Sequence, residues 1–426
     1  MAKKKTAFIG FFLTMSWCFL PASDFHLFEC GGKAGTYGGA FVARADDPSA
    51  VYYNPAGIAF FEGINIKLNL LYGNLGHAVE GETVGSPVRS RSRQFRGSYY
   101  FSFQLLNGIS FGMGMFAPYV FESKWPQDWE DSLRCVRSKL TSTTIRPVLA
   151  FRISDRFAFG LGPDFIFSGL EWAHTLPFSY YNYKGEFIEE DILKSFDVSG
   201  NAVSFSAGFL FHISERFHVG GKYQHKTTIK SKGLYKLSYF PSRNATSQIT
   251  LPSEVLLGFM LSPHRKISLQ LDFQWTGWGA IESWDIIPEL EETESISLYF
   301  LPERVLLEGK DNWTVKAGVE YHLNSVISLR AGYSRHQNWQ NVLNPVFPSL
   351  NRNVFSVGFG YDGPMWSPTD KRQIGFFSFD LYFQAVFSNR RATSTSAGDL
   401  YYDSDYWVLG MGIGWSNKGT FPKGTP

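Results

Sequence analysis

From Ile64 almost to the C-terminus, apolar and polar residues alternate with a period of two, and this excludes most folds open to a chain of 426 residues. Successive side chains of a strand leave on opposite faces, so such alternation describes two-faced ribbons. Ile267, Leu269, Leu271, Phe273 and Trp275 share one face, while Ser268, Gln270, Asp272, Gln274 and Thr276 share the other. Trp313, Val315, Ala317, Val319 and Tyr321 repeat the pattern, as do Phe377, Phe379, Leu381 and Phe383. Fourteen strands are predicted, near 64–74, 94–105, 108–121, 139–153, 156–171, 197–213, 216–231, 248–262, 265–281, 311–323, 326–337, 352–362, 373–388 and 405–416. Tight turns at Leu106-Asn107, Ser154-Asp155, Ser214-Glu215, Pro263-His264 and Asn324-Ser325 are each followed one strand later by a long loop.

Short and long links in alternation, with an even strand count, predict an all-β fold: a transmembrane antiparallel up-and-down β-barrel of about 14 strands. A soluble sandwich also alternates, and periodicity does not say whether the apolar face meets a core or lipid. Three features favour lipid. The strands reach the roughly 9 to 11 residues that a tilted crossing needs, Trp and Tyr cluster near strand ends, and the chain begins like an exported protein. Lys3, Lys4 and Lys5 precede the apolar Ala7 to Phe19, with Pro21, Ala22 and Ser23 after them, so residues 1–23 read as a signal peptide. No later apolar run approaches the length of a membrane helix. The expected location is the outer membrane of a Gram-negative bacterium.

Composition removes other classes. The chain has 40 Phe, 21 Tyr and 12 Trp, too much apolar surface for a disordered polymer. Its 40 Lys and Arg nearly balance 38 Asp and Glu, so no nucleic-acid partner is expected. The nine His include no HExxH, and no GxSxG occurs; His212, His218 and His225 read as lumen or rim residues. No catalytic residue, metal or cofactor is assigned, and the protein is not read as an enzyme. Cys18 leaves with the signal, and Cys30 and Cys135 could form a disulfide or remain two thiols.

A fourteen-strand barrel is too wide for its own side chains to fill. Glycines recur on the polar faces, among them Gly112, Gly114, Gly160, Gly162, Gly358, Gly360, Gly410, Gly412 and Gly414, leaving room inside. Residues 24–62 lack the alternation and carry Gly31-Gly32, Gly38-Gly39 and Asp46-Asp47-Pro48, which suit a compact plug. The expected organisation is therefore plug 24–62, barrel 63–416 and tail 417–426.

Gly35-Thr36-Tyr37-Gly38-Gly39-Ala40, and then Ala45-Asp46-Asp47-Pro48-Ser49-Ala50-Val51-Tyr52-Tyr53-Asn54-Pro55-Ala56-Gly57-Ile58, resemble the N-terminal hatch of the FadL-like outer-membrane transporters of long-chain fatty acids and other hydrophobic compounds. Phe111-Gly112-Met113-Gly114, Ala117-Pro118, Leu251-Pro252-Ser253-Glu254, Trp275-Thr276-Gly277-Trp278 and Leu329-Arg330-Ala331-Gly332-Tyr333 extend the resemblance over most of the mature chain. It implies capture of a hydrophobic ligand by external loops, an apolar lumen site, movement of the hatch, and lateral exit through the wall at a kink in the third strand. Asn54, Pro55, Ala56, Asp46 and Asp47 are the gate candidates, the two Asp facing lumen bases such as Lys316 or Arg330. Pro118, which cannot donate a ladder hydrogen bond, is the kink candidate, or else simply the end of its strand. Phe116, Leu210, Leu256 and Met260 are inward apolar residues expected to line a ligand pocket or pack on the hatch; Trp125, Trp129, Phe178 and Tyr181 are expected to capture ligand outside. Tyr119, Val120 and Phe121 stand where the family often has an aromatic, Gly and Leu. By alignment, the family's carboxylate-binding basic positions fall near Gly169 and Asp285. Expected partners are hydrophobic small molecules such as long-chain fatty acids, outer-membrane lipid and the barrel-assembly machinery, and the barrel is expected to be a monomer. A surface adhesin or structural barrel is the alternative, and an outer-membrane lipase a lesser one.

Overall fold

The computed structural model describes residues 29–418, apart from 82–86, 128, 130–134, 290–300, 345, 368, 370–371 and 396–397. The signal peptide expected at 1–23 and the start of the expected plug lie outside the described residues.

The strands are β1 (Ile64–Gly81), β2 (Val88–Leu106), β3 (Ile109–Phe116), β4 (Phe121–Lys124), β5 (Arg137–Arg152), β6 (Phe157–Tyr181), β7 (Phe187–Ser214), β8 (Phe217–Gln224), β9 (Thr227–Leu237) and β10 (Arg243–Leu251). They continue with β11 (Glu254–His264), β12 (Ile267–Thr276), β13 (Ser283–Pro288), β14 (Glu303–Leu306), β15 (Asn312–His322), β16 (Ile327–His336), β17 (Arg352–Trp366), β18 (Gln373–Ser388), β19 (Arg391–Thr395), β20 (Gly398–Asp403) and β21 (Tyr406–Ser416). Fourteen of them close a ring in the order β1, β2, β3, β5, β6, β7, β8, β11, β12, β15, β16, β17, β18, β21, with every pair antiparallel. The ring closes where β21 pairs with β1, from Asn65 opposite Ser416 to Asn74 opposite Trp407. Closure leaves neither the first nor the last strand with a free edge, the condition a membrane imposes on strands.

The outer face is apolar. Phe157, Phe159, Leu161, Phe165 and Phe167 on β6, Leu269, Leu271 and Phe273 on β12, and Leu409 and Ile413 on β21 are all exposed. No helix among the described residues is long and apolar enough to cross a membrane; the exposed apolar strand band is the surface a bilayer would meet. Every expected strand has a counterpart in the ring, but four run differently. The predicted 265–281 strand ends at Thr276, before a 3-10 helix over Trp278–Ala280. The predicted 108–121 strand stops at Phe116 and resumes as β4. The predicted 216–231 strand ends at Gln224, after which β9 leaves the ring to pair with the external half of β7 and with β10. The predicted 248–262 strand is interrupted at Pro252, between β10 and β11, where no backbone N–H is available for a ladder. β9, β10, β13 and β14 thus build an external sheet on the long β6–β7 hairpin.

Inside the ring, residues 29–62 form a plug that is buried almost throughout. A short helix, Gly32–Thr36, leads into a turn where Gly38 and Gly39 take φ of 65° and 87°, a left-handed conformation that favours glycine. A second helix, Ala50–Tyr53, passes through Asn54 into a 3-10 helix, Pro55–Phe60. Above the plug, the external interior is apolar, a continuous cluster that includes Leu140, Ile166, Leu170, Trp172, Phe196, Tyr235, Leu251, Trp284, Trp339 and Phe347.

Candidate functional site

The plug is fixed to the wall by close approach and by charge. Asn54 Nδ2 donates to the carbonyls of Val42 and of Phe209 on β7, both at 2.8 Å, while Asn54 Oδ1 accepts from Ala56 N at 3.2 Å. The Asn-Pro-Ala turn therefore ties plug to barrel and caps its own 3-10 helix. Glycines in the wall permit this approach. A Cβ on Gly208 would lie 2.3 Å from Asn54 Oδ1, and one on Gly160 would lie 2.6 Å from the Pro55 carbonyl carbon.

Asp46 does not pair with Lys316 or Arg330. It pairs within the plug, with Lys33 at 3.0 Å and Arg44 at 2.9 Å, and Arg44 in turn reaches Glu320 on β15 at 2.6 Å. Burial alone would raise the Asp46 carboxyl, but Arg44 and Lys33 outweigh it and hold it below the usual carboxylate range. Asp47 lies 3.7 Å from Lys67 on β1, and its other oxygen accepts from Ser49 N at 2.8 Å. Lys316 instead meets Glu29 at 3.2 Å, and Arg330 bonds Glu320 at 2.8 Å and also Asp380, itself 2.5 Å from Lys67. A chain of buried ions thus runs from β1 across β18, β16 and β15 into the plug.

Two further anchors carried no motif. Arg146 on β5 pairs with Asp164 and donates to the carbonyls of Val51 and Tyr52 at 3.2 and 3.1 Å, satisfying the end of the second plug helix. Asp272 accepts from the backbone N–H groups of Phe41 and Val42 at 2.7 and 3.0 Å. The signal available for both was a charged residue on the inward face of a crossing strand, an expensive placement unless it is partnered.

Pro118 sits in the gap between β3 and β4. Phe116 pairs with Thr144 and Phe121 with Leu140, so the register on β5 slips by one residue across the break. Beyond Tyr99, which pairs with Met115, β2 has no ladder partner on its β3 side among the described residues. Side chains bridge this seam. Glu122 Oε2 accepts from Ser92 Oγ at 2.9 Å and Gln94 Nε2 at 3.2 Å, and Lys124 N donates to Ser90 Oγ at 3.0 Å. Tyr119 turns into the lumen, its N–H donating to Ser142 Oγ at 3.1 Å and its hydroxyl meeting Glu254 and Gln224 at 3.4 Å.

Between plug and apolar interior lies a narrow cavity lined by Glu29, Tyr52, Tyr53, Lys222, Glu254, Leu256, Gln274, Thr276, Trp278, Asn312, Thr314, Lys316, His336, Gln337, Trp339, Ser349 and Arg352. Lys222 Nζ lies 4.7 Å from the Tyr52 ring centroid and 3.9 Å from Glu254. Of the four expected lining residues, only Leu256 borders this cavity. Phe116 packs on Tyr52 and Arg146, Leu210 is buried against the plug, and Met260 is half-buried opposite His218 near the short-turn rim. Trp125 and Trp129 stack at 4.9 Å inside the apolar cluster, with Trp129 Nε1 donating to Cys135 O at 2.7 Å, so neither faces outward. Phe178 packs against that cluster, whereas Tyr181 is 73% exposed at the tip of the β6–β7 hairpin. Gly169 and Asp285 lie on faces opposite the buried Leu170, Trp284 and Ile286, and Asp285 bonds Arg304 at 2.7 Å, so neither position addresses the lumen. No disulfide joins Cys30 in the plug to Cys135 in the external segment; burial, with Glu29 adding to it, pushes the Cys30 thiol up to about 12.

A closed fourteen-strand barrel with an apolar outer band, an internal plug and a cavity above it is the architecture of an outer-membrane channel for small molecules. The sequence matches the family described as outer membrane protein transport protein (OMPP1/FadL/TodX) over residues 19–417, and the chain belongs to that family. A search of curated sequences finds no match. Among solved structures, a Pseudomonas aeruginosa FadL homologue is similar with a TM-score of 0.79 at 16% identity, covering 92% of this chain and 100% of its own. The Ralstonia pickettii toluene transporter TbuX gives 0.68 at 15% identity, covering 91% and 98%. The Pseudomonas putida toluene transporter TodX gives 0.67 at 16% identity, covering 93% and 100%. The protein is thus an outer-membrane transporter of the hydrophobic-compound type, and its family is made of channels rather than enzymes.

Proposed function

We propose that this chain passively carries long-chain fatty acids, which enter from the external loops, rest in the cavity above the plug, and leave sideways through the β2–β4 seam when the plug shifts. One observation carries the choice of ligand. The apolar interior of the external half leads onto a cavity holding three cationic residues, Lys222, Lys316 and Arg352, against two acids, Glu29 and Glu254. An acyl chain gains about 0.8 kcal/mol for each methylene moved from water into such an interior, and a carboxylate gains most beside an ammonium or guanidinium. A hydrocarbon without a head group would use the first region and leave the second idle. The seam supports the exit route because it is joined by side chains instead of a ladder.

The test is uptake of a labelled long-chain fatty acid, and separately of the matching long-chain alcohol, by a Gram-negative host lacking its own fatty-acid transporter. Saturable acid uptake is expected with the intact protein. Replacing Lys222 and Lys316 with Met is expected to reduce acid uptake several-fold and leave the alcohol nearly unchanged. Equal loss of both, or no uptake of the acid by a folded barrel, rejects the carboxylate reading.

A further inference from the structure

The outward face of β2 changes character abruptly. Leu105, Phe103, Phe101, Tyr99 and Phe95 form its lipid-facing series, and then Arg93, Arg91 and Arg89 follow on the same face, all exposed. Since β2 ends in the short turn to β3, the arginines lie toward the external rim, at the height where the apolar band gives way to head groups. Several other cations at this rim are matched. Arg137 and Lys139 meet Glu171 at 2.8 and 2.6 Å, Arg390 meets Glu80 at 2.6 Å, and Arg304 meets Asp285 at 2.7 Å. Among the described residues no ion pair neutralises Arg89, Arg91 or Arg93; Asp403, beyond Ala78 on the far side of β1, is the acid on which Arg89 acts.

The surface beside the row is low. Arg93, Arg91 and Arg89 stand opposite Asn74, Gly76 and Ala78 of β1, so small side chains border the arginines on that side. On the other side lies the seam, where Lys124 is held 3.1 Å from Glu122. Residues two apart on a strand are separated by about 7 Å, and a guanidinium grips phosphate through two parallel hydrogen bonds. Acyl chains on the Phe95–Leu105 series would place a phosphorylated head group directly on the arginines.

From this continuity we propose that Arg89, Arg91 and Arg93 form a binding site on the outer wall for a phosphate-bearing glycolipid of the outer leaflet. The row takes a lipid carrying at least two phosphates, held by charge at its head and by the aromatic band along its chains. Each exposed arginine at a bilayer surface adds its own attraction to anionic lipid, so a row acts additively where a single residue would not. The site does not depend on what the lumen carries.

The test uses the purified full chain in neutral detergent, with native mass spectrometry of added bis-phosphorylated lipid A, the same lipid with both phosphates removed, and inorganic phosphate as competitor. Retention of the phosphorylated lipid is expected to exceed that of the dephosphorylated one by at least tenfold. The triple variant R89S/R91S/R93S is expected to lose that preference, and R89K/R91K/R93K to keep part of it. Heat-modifiable gel migration identifies folded barrels, and the dephosphorylated lipid serves as the reference within each variant. Equal retention of both lipids by the native chain, or an unchanged preference in the serine variant, overturns the site. Displacement by millimolar inorganic phosphate alone overturns the assignment to a lipid.

Discussion

The two halves of the lumen are held together by different physics. The external half is a cluster of aromatic and aliphatic side chains in which any one contact resembles its neighbours. The plug half is a set of named buried partners, Lys67 with Asp380, Arg330 with Glu320 and Arg44 with Asp46, linked one to the next, and Arg146 with Asp164 beside them. Apolar contact is non-directional and tolerates rearrangement, whereas a buried ion that loses its partner is strongly destabilising. The difference suits a channel with a greasy entry and a plug held in one position until something competes for its anchors.

This contrast can be broken most forcefully at Arg330. Arg330→Met leaves Glu320 and Asp380 buried without that cation, at a cost of about 3–5 kcal/mol. The expected result is plug release, read as maleimide labelling of Cys30, which is slow in the native chain because the thiol is buried and its pKa is raised. The reverse trial, Leu170→Ala in the apolar half, is expected to leave Cys30 protected; labelling there as fast as in Arg330→Met would erase the distinction. A smaller effect is expected from Asn54→Ala, which removes two hydrogen bonds to carbonyls and leaves those acceptors buried, at about 1–3 kcal/mol. Smaller again is Glu122→Ala, which takes the acceptor from Ser92 and Gln94 and is expected to speed passage of a neutral lipophilic dye without changing Cys30 labelling. The mildest lever is acid. The Asp46 carboxyl is depressed in the folded chain, so its contribution is complete above its ordinary value of 3.8 and is lost as pH falls further. Cys30 reactivity, measured after a brief exposure below pH 4 and return to neutral reagent, is expected to rise only in that window.

The barrel was legible because a two-faced strand repeats one signal many times. All fourteen ring strands could be placed from alternation, and the Asn-Pro-Ala turn from its motif. The external sheet was not, because β9 and β10 alternate as the ring strands do and only pairing distinguishes them. Partner choice was also hidden. Asp46 is satisfied by Arg44, two residues away, so Lys316 and Arg330 are left to other acids. Gly169 and Asp285 show the cost of matching positions without a face: a shift of one residue along a strand exchanges lumen for lipid. Trp125 and Trp129 could not be placed from sequence, since an external aromatic can turn inward to stack as easily as outward to wait for a ligand.

The closure of β21 on β1 carries a consequence for biogenesis. In the sequence the plug precedes every strand of the ring, and β21, which completes its container, follows the other thirteen. Throughout export, Arg44, Asp46 and Asn54 therefore wait for an enclosure that does not yet exist, and the plug's final coordinates are settled only when Ser416 meets Asn65. Truncating the last strand would thus unfasten the opposite end of the chain.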